Sequence, residues 1–354
     1  MSTLEDQITD YLKKRWEGHD SLSISDLKEL LGGYSKTTYS FDLNIYSNGE
    51  KSSLPLIFRR DMPKVSAILP NSRELEHKLL NRLREHTSVP VPKSYFAEMD
   101  RSIFGEASMF IERVLGCTEP TSLVKSPETA AEAESVARDL CEKVAALHLA
   151  DVNLLNHDHL LDDPRQLGMV PDTWDHYMDG MLNFFINNYK NIDFDTLPVL
   201  YDAFLHMRRN RPRPLPLRVV HGELNPANIV FKNGKILSIV DWENAHLGDP
   251  REDLGWFCFM DAASGTNFFN RVNYPGGFLG YYNHLTGFNI TLEELYYFQI
   301  FGFASVSATP IAAIKRRIAG EHSELLHLYL LQLVFAGCMG FTQLLGYPQP
   351  QAAK

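Results

Sequence analysis

Cysteine is scarce and scattered in this 354-residue chain. Cys117, Cys141, Cys258 and Cys338 form no C-x-x-C pair, and their wide spacing suggests neither a zinc site nor a disulfide framework. Reduced, buried thiols and a cytoplasmic location are the expectation. An excess of positive charge is lacking too. The formal net charge of -10 argues against a nucleic-acid or anionic-membrane partner, since both need basic surface. There is no internal repeat and no low-complexity tract. Residues 1–17 carry scattered charge and no apolar run, so no leader is expected. Long uncharged stretches are few. The longest runs from Leu325 to Ala353, and its core, 328–346, approaches membrane-span length. Gln332, Gln343 and several glycines interrupt it, so a buried C-terminal helix or pair is expected rather than a membrane span.

What remains is ordinary for a soluble globular protein, with 44% hydrophobic and 22% charged residues and enough length for two compact domains. Leu4, Ile8, Tyr11 and Leu12 make an amphipathic helical stripe. Phe41–Tyr46 and Leu54–Phe58 read as paired strands around Asn48-Gly49. Residues 72–86 read as a helix with Leu75, Leu79 and Leu83 on one face and Glu76 beside them. Val89-Pro90-Val91-Pro92 ends it. Ser126-Pro127-Glu128 is a helix start, and Val136, Leu140, Val144 and Leu147 then form a buried stripe, with His148 read as a structural histidine. Residues 174–209 read as two further helices, and 273–280 as a loop followed by helices to the end.

The most informative stretch is 221–242, H-G-E-L-N-P-A-N-I-V-F-K-N-G-K-I-L-S-I-V-D-W. Glu223 stands four intervening residues before Asn228. Asn233-Gly234 is a two-residue hairpin signal between apolar runs, because both positions of a type I′ turn need positive φ. Folding there sets Asn228 near Ile239, with Asp241 two residues and roughly 7 Å further on. An amide and a carboxylate so placed suit Mg2+, which takes one or two carboxylates plus phosphate oxygens and water. A third carboxylate, Glu223, stands free to accept the proton of an attacking hydroxyl. Protein kinases use the same order of H-x-D, four residues, Asn, then a second Asp.

This stretch, continued by I-V-D-W-E-N-A-H-L-G-D-P-R-E-D-L-G-W-F, resembles the aminoglycoside phosphotransferase (APH) and choline-kinase-like family, most of all its branch associated with acyl-CoA dehydrogenases. The resemblance runs along most of the chain. Leu31-Gly32-Gly33-Tyr34-Ser35 looks like the nucleotide loop and Ile57-Phe58-Arg59-Arg60 like the third strand. Phe110-Ile111-Glu112-Arg113-Val114 looks like the interlobe hinge and Ala145-Ala146-Leu147-His148 like the end of the first long helix of the larger lobe.

The resemblance implies an α+β, two-lobed protein kinase-like fold. A small antiparallel-sheet lobe (1–112) would bind the nucleotide, and a larger, mainly helical lobe (113–354) would carry catalysis and the acceptor. It implies transfer of a phosphoryl group from ATP or GTP, with Mg2+, to a small-molecule hydroxyl. By position, Glu223 takes the catalytic-base place, Asn228 and Asp241 the magnesium places, and Gly33 and Ser35 the phosphate loop. Arg59 takes the place of the phosphate-holding strand lysine, Glu76 that of its helix partner, and the backbone of Glu112 and Val114 would meet the adenine edge. Asp249 and Asp253 would brace the catalytic loop, and His221 would orient the Asp241 segment. Glu243 is a candidate third metal neighbour, read in preference as a structural hydrogen-bonding residue.

The family has Asp where this chain has Glu223. The extra methylene moves the carboxylate by about 1 Å, a shift that can cost on the order of 10²-fold in rate. Three readings therefore stand side by side: a kinase with a hydroxyacyl or lipid-like acceptor, an aminoglycoside or macrolide antibiotic kinase, and a nucleotide-binding pseudokinase. The assembly state, a homodimer included, stays open.

Overall fold

Two Asn-Gly turns organise the β-structure. In the computed structural model, which describes residues 3–30, 36–63, 72–163, 170–190, 198–323 and 325–346, both adopt positive φ at each central position: Asn48 (52°) and Gly49 (81°), Asn233 (52°) and Gly234 (75°). The first turn joins β2 (Lys36–Ser47) to β3 (Glu50–Asp61) in register from Ser47↔Glu50 to Lys36↔Asp61. These strands are longer than the expected paired segments, because the pairing runs unbroken to both ends. Together with β1 (Ser21–Leu30), β4 (Ser94–Glu98) and β5 (Ser108–Glu112) they form a five-stranded antiparallel sheet in the order β1-β2-β3-β5-β4.

α1 (Leu4–Arg15), capped by Thr3 and Asp6 in a reciprocal capping box, lays Ile8, Tyr11 and Leu12 on that sheet. Phe41, Leu43, Leu56, Phe58 and Phe110 complete this small core. α2 (Arg73–His86), capped by Ser72, follows β3. Its Leu79, Leu80 and Leu83 are fully buried in a second core shared with the helical part of the chain, where they join Leu140, Val144, Leu224, Ile229 and Trp242. The helix is therefore fixed to the segment 221–242.

After the one-turn helix α3 (Arg101–Phe104) and β5, the chain crosses to α4 (Ala130–Leu149), preceded by 3-10 turns. The Ser126 signal caps one of those turns, and the regular helix begins at Ala130. Its expected stripe of Val136, Leu140, Val144 and Leu147 is buried. Next come α5 (Val152–Leu155), α6 (Trp174–Lys190) and α7 (Pro198–Arg209). β6 (Arg218–Val220) pairs with β9 (His246–Gly248), and between them lies the hairpin of β7 (Ile229–Lys232) and β8 (Lys235–Ile239). α8 (Pro250–Ser264), α9 (Gly277–Thr286), α10 (Leu292–Ala308), α11 (Ile311–Ile318) and α12 (Leu326–Leu344) follow. α9 starts at Gly277, inside the segment expected to be loop.

Leu292–Ile318 has the length and composition of a membrane span, yet 78% of its 18-residue apolar window lies buried in the protein, where α10 packs on α8, α7 and α12. Among the described residues, the C-terminal uncharged run forms α12, which buries Leu330, Val334 and Phe341.

Candidate active site

The loop after β6 is held from beneath. Asp253, in the first turn of α8, accepts the amides of His221 (2.8 Å) and Gly222 (2.9 Å) and meets His148 Nε2 from α4 at 3.1 Å. His148 meets the Tyr282 hydroxyl through Nδ1 at 2.7 Å, which gives it the structural role expected. Asp249 caps α8 through the Arg251 amide and also receives Trp174 Nε1.

Gly222 sits at φ +77°, and a Cβ there would stand 2.3 Å from the Asn244 carbonyl oxygen, so only glycine allows the two segments to touch. His221 Nε2 donates to the Val240 carbonyl at 2.9 Å, and its Nδ1 accepts the Glu223 amide at 3.3 Å. Those partners fix one neutral tautomer, and the ring lies against Trp242 (centroids 4.7 Å apart). His221 thus ties the Glu223 loop to the Asp241 segment.

The hairpin register differs by one residue from the expected one. A bulge at Val230/Phe231 pairs Ile229 with Ile239, and Val240 N donates to the Asn228 carbonyl at 2.9 Å. Asn228 is therefore opposite Val240, and Asp241 is one residue further, not two. The extra residue brings amide and acid closer than simple hairpin counting gives.

Asp241 itself is left-handed, φ 70° and ψ 56°, a conformation uncommon outside glycine. It turns the carboxylate toward its neighbours: one oxygen each of Glu223, Asp241 and Glu243 lies within 4.8 Å of the others. The sequence set Glu223 apart and favoured a structural role for Glu243, whereas the folded chain gathers all three acids. Asn244 Nδ2 donates to Glu223 Oε2 at 2.7 Å and orients it. Asn228 and Asn225 each donate a side-chain N–H to the Glu223 carbonyl, at 3.0 and 3.1 Å. The Asn228 side-chain oxygen keeps its acceptor character.

Facing these acids is a buried set of cations. Arg59 of β3 bonds Glu76 of α2 at 2.9 Å and pairs with Asp241 through its other Nη. The Arg59–Glu76 juxtaposition is the one expected, and its link to Asp241 is additional. Lys36, the first residue of β2, lies 3.8 Å from Glu76 and 3.9 Å from Asp241 and pairs with Glu243. Arg73, the first residue of α2, meets Asp61 at 2.8 Å and Glu243 at 3.4 Å, and pairs with Glu76.

Sequence reasoning missed Lys36, Arg73 and Asn244. Arg73 did leave a signal. A cation in the first turn opposes the helix dipole, so an arginine there asks for a buried acid. Lys36 and Asn244 left none, since their partners come from distant segments.

Burial raises the Glu76 carboxyl, but Arg73, Lys36 and Arg59 outweigh it and hold it at about 2. Burial likewise raises Asp241, and Arg59 and Lys36 hold it below the ordinary carboxylate range. Burial first, then Arg59 and Arg73, lowers Lys36 well below the usual lysine value.

Among the described residues, the carboxylates of Asp61, Glu76, Asp241 and Glu243 meet the three cations Lys36, Arg59 and Arg73, and Glu223 adjoins Asp241 and Glu243, leaving formal negative charge in excess. An all-oxygen donor set of carboxylates and an amide carbonyl, with that charge, fits Mg2+ or Mn2+.

At the crossing between the sheet and the helices, the Glu112 amide donates to Lys93 O (2.8 Å) and the Arg113 amide to Pro55 O (3.0 Å). Cys117 and Phe231 then exchange backbone hydrogen bonds at 2.8 and 3.0 Å, tying the crossing segment to the catalytic hairpin. Glu112 and Val114 lie on this segment. Gly33 and Ser35 lie outside the described residues.

Comparison with known proteins agrees with this architecture. A probable acyl-CoA dehydrogenase of Arabidopsis thaliana, IBR3, is 24% identical over 236 residues, which cover 64% of this chain and 27% of that protein. The chain thus matches about a quarter of the length of such curated relatives. Among solved structures, a thermostable mutant of the aminoglycoside phosphotransferase APH(4)-Ia, in a ternary complex with ADP and hygromycin B, superposes with a TM-score of 0.63. It has 16% identity and covers 98% of this chain and all of that one. The macrolide 2′-phosphotransferase MphH of Brachybacterium faecium does so with a TM-score of 0.59 and 16% identity, covering 98% of this chain and all of that one. At these identities the structures show a shared kinase-like fold. The sequence profile of the phosphotransferase enzyme family matches residues 26–287, and with most of its length inside that match, this chain belongs to the APH family of phosphotransferases.

Proposed function

We propose that the chain transfers the γ-phosphoryl group of ATP or GTP to a hydroxyl of a small molecule, and that the acceptor is a hydroxyacyl or lipid-like metabolite. One observation carries the catalytic part: Glu223, Asp241 and Glu243 converge on one point beside Asn228, opposite the Arg59–Glu76 pair. Asp241 and Asn228 would hold the metal, with Glu243 adjacent. A bound Mg2+ would supply charge neutralisation of the phosphates. Arg59, fixed by Glu76, steadies the phosphate oxygens with a planar fork of donors. Glu223, oriented by Asn244, accepts or aligns the proton of the acceptor hydroxyl. Positioning and electrostatics do most of the work, as phosphoryl transfer requires.

The hydroxyacyl acceptor is supported by the relatives' own description as acyl-CoA dehydrogenases. The antibiotic-kinase reading is favoured by the hygromycin-bound and macrolide-kinase neighbours, whose likeness is one of fold.

The test is Mg2+-dependent ATP and GTP consumption across hydroxyacyl, aminoglycoside and macrolide acceptors, with Glu223→Gln alongside. Turnover with a hydroxyacyl compound, abolished in Glu223→Gln while nucleotide binding persists, is expected. Turnover with antibiotics alone would replace the acceptor assignment. Nucleotide binding without any turnover would make the chain a pseudokinase, and full activity in Glu223→Gln would remove Glu223 as the base.

A further inference from the structure

Lys36 is a cation that the proposed chemistry does not use, and it stands in an unusual place. Its side chain is almost fully buried, it pairs with Glu243, and Nζ lies 3.9 Å from Asp241 Oδ1. Two of the three converging acids are therefore engaged by one ammonium. Arg59 also touches Asp241, but it is a rigid fork locked to Glu76. Lys36 differs in kind. It is a compact charge on a flexible four-carbon stem, and Glu76, outside the acid group, lies 3.8 Å away.

We propose that Lys36 is the resident counter-cation of this site: its ammonium occupies the position between Asp241 and Glu243 that a divalent ion takes, and metal binding displaces it toward Glu76. This rests on reading Asp241 as a metal-binding acid. Lys36 then sets the threshold for metal. Together with Arg59 and Arg73 it offsets the repulsion between Asp241 and Glu243, so the lysine stabilises the metal-free fold. With it, a divalent ion must outcompete a positive charge that is already seated. Two cations a few ångströms apart in a partly buried site repel strongly, so the competition is steep. The lysine makes the site most receptive when ion and nucleotide phosphates arrive together, because the phosphates add the negative charge that two cations can share.

The experiment is Mn2+ binding to the full chain without nucleotide, followed by electron paramagnetic resonance, for wild type, Lys36→Met, Lys36→Gln and Asp241→Asn. Removing the competing charge is expected to tighten Mn2+ binding by about tenfold or more in both Lys36 variants. Unchanged or weaker binding in both, with Asp241→Asn weakened, would overturn the role of Lys36 while leaving the metal site intact. Unchanged binding in Asp241→Asn would overturn the metal reading, and this inference with it. A wild-type measurement guards against misfolded variants. Mn2+ alone should change the labelling of Lys36 by an amine-acylating reagent, read by peptide mass spectrometry. Labelling that does not respond to Mn2+ would contradict displacement.

Discussion

At the scale of single residues, the site depends on a few residues whose proposed role is to position others. Asn244 is one. It donates to Glu223 Oε2, so Asn244→Ala removes a hydrogen bond that orients the carboxylate. Turnover should fall by about tenfold or more with nucleotide affinity retained. An unchanged kcat would show that Glu223 needs no such guide. Gly222 is another. Its φ of +77° and the 2.3 Å approach of the Asn244 oxygen to a would-be Cβ leave no room for alanine. Gly222→Ala should cost about 2–4 kcal/mol in a denaturant titration, from backbone strain and the forced separation of two segments. A loss below about 0.5 kcal/mol would mean that the contact is slack.

At the scale of elements, α8 and α4 meet under the catalytic loop through one carboxylate. Asp253 holds two backbone amides of the loop and faces His148. Asp253→Ala would leave those donors buried without partners, at about 1–3 kcal/mol each. The variant should unfold at markedly lower denaturant concentration than wild type, and equal midpoints would contradict the brace.

Much at this scale was legible beforehand. The Asn-Gly turns, the Leu79/Leu83 stripe, the stripe of α4 and the Arg59–Glu76 pair all follow from local signals, namely turn chemistry, 3.6-residue periodicity and family position. The register of the catalytic hairpin was not. A bulge is one residue inserted in a ladder, and nothing in the apolar run Ile236–Val240 marks where it falls. The gathering of Glu243 with Glu223 was hidden for a related reason. It depends on Asp241 taking a left-handed conformation, which a sequence records openly only when the residue is glycine.

At the scale of the whole molecule, the buried ionic cluster joins the sheet, α2 and the helical part of the chain, so its titration is a property of the fold. Glu76 has a folded-state value of about 2 against an ordinary 4.5, so its contribution to stability is complete above about pH 4.5 and is lost as pH falls toward about 2. Asp241, also held low, acts in the same direction, while Asp61, raised by burial, opposes both. The melting temperature should therefore fall on acidification through that window, and Glu76→Gln should flatten the fall; an equally steep profile in the variant would put the acid sensitivity elsewhere.

The same cluster holds Asp241, proposed as the acid through which metal and nucleotide bind together. Calorimetric titration of ATP into wild type and Asp241→Ala, each with Mg2+ and with EDTA, tests this directly. Wild type should bind ATP much more tightly with Mg2+, and Asp241→Ala should show no gain from the metal. An undiminished Mg2+ dependence in Asp241→Ala would contradict the account.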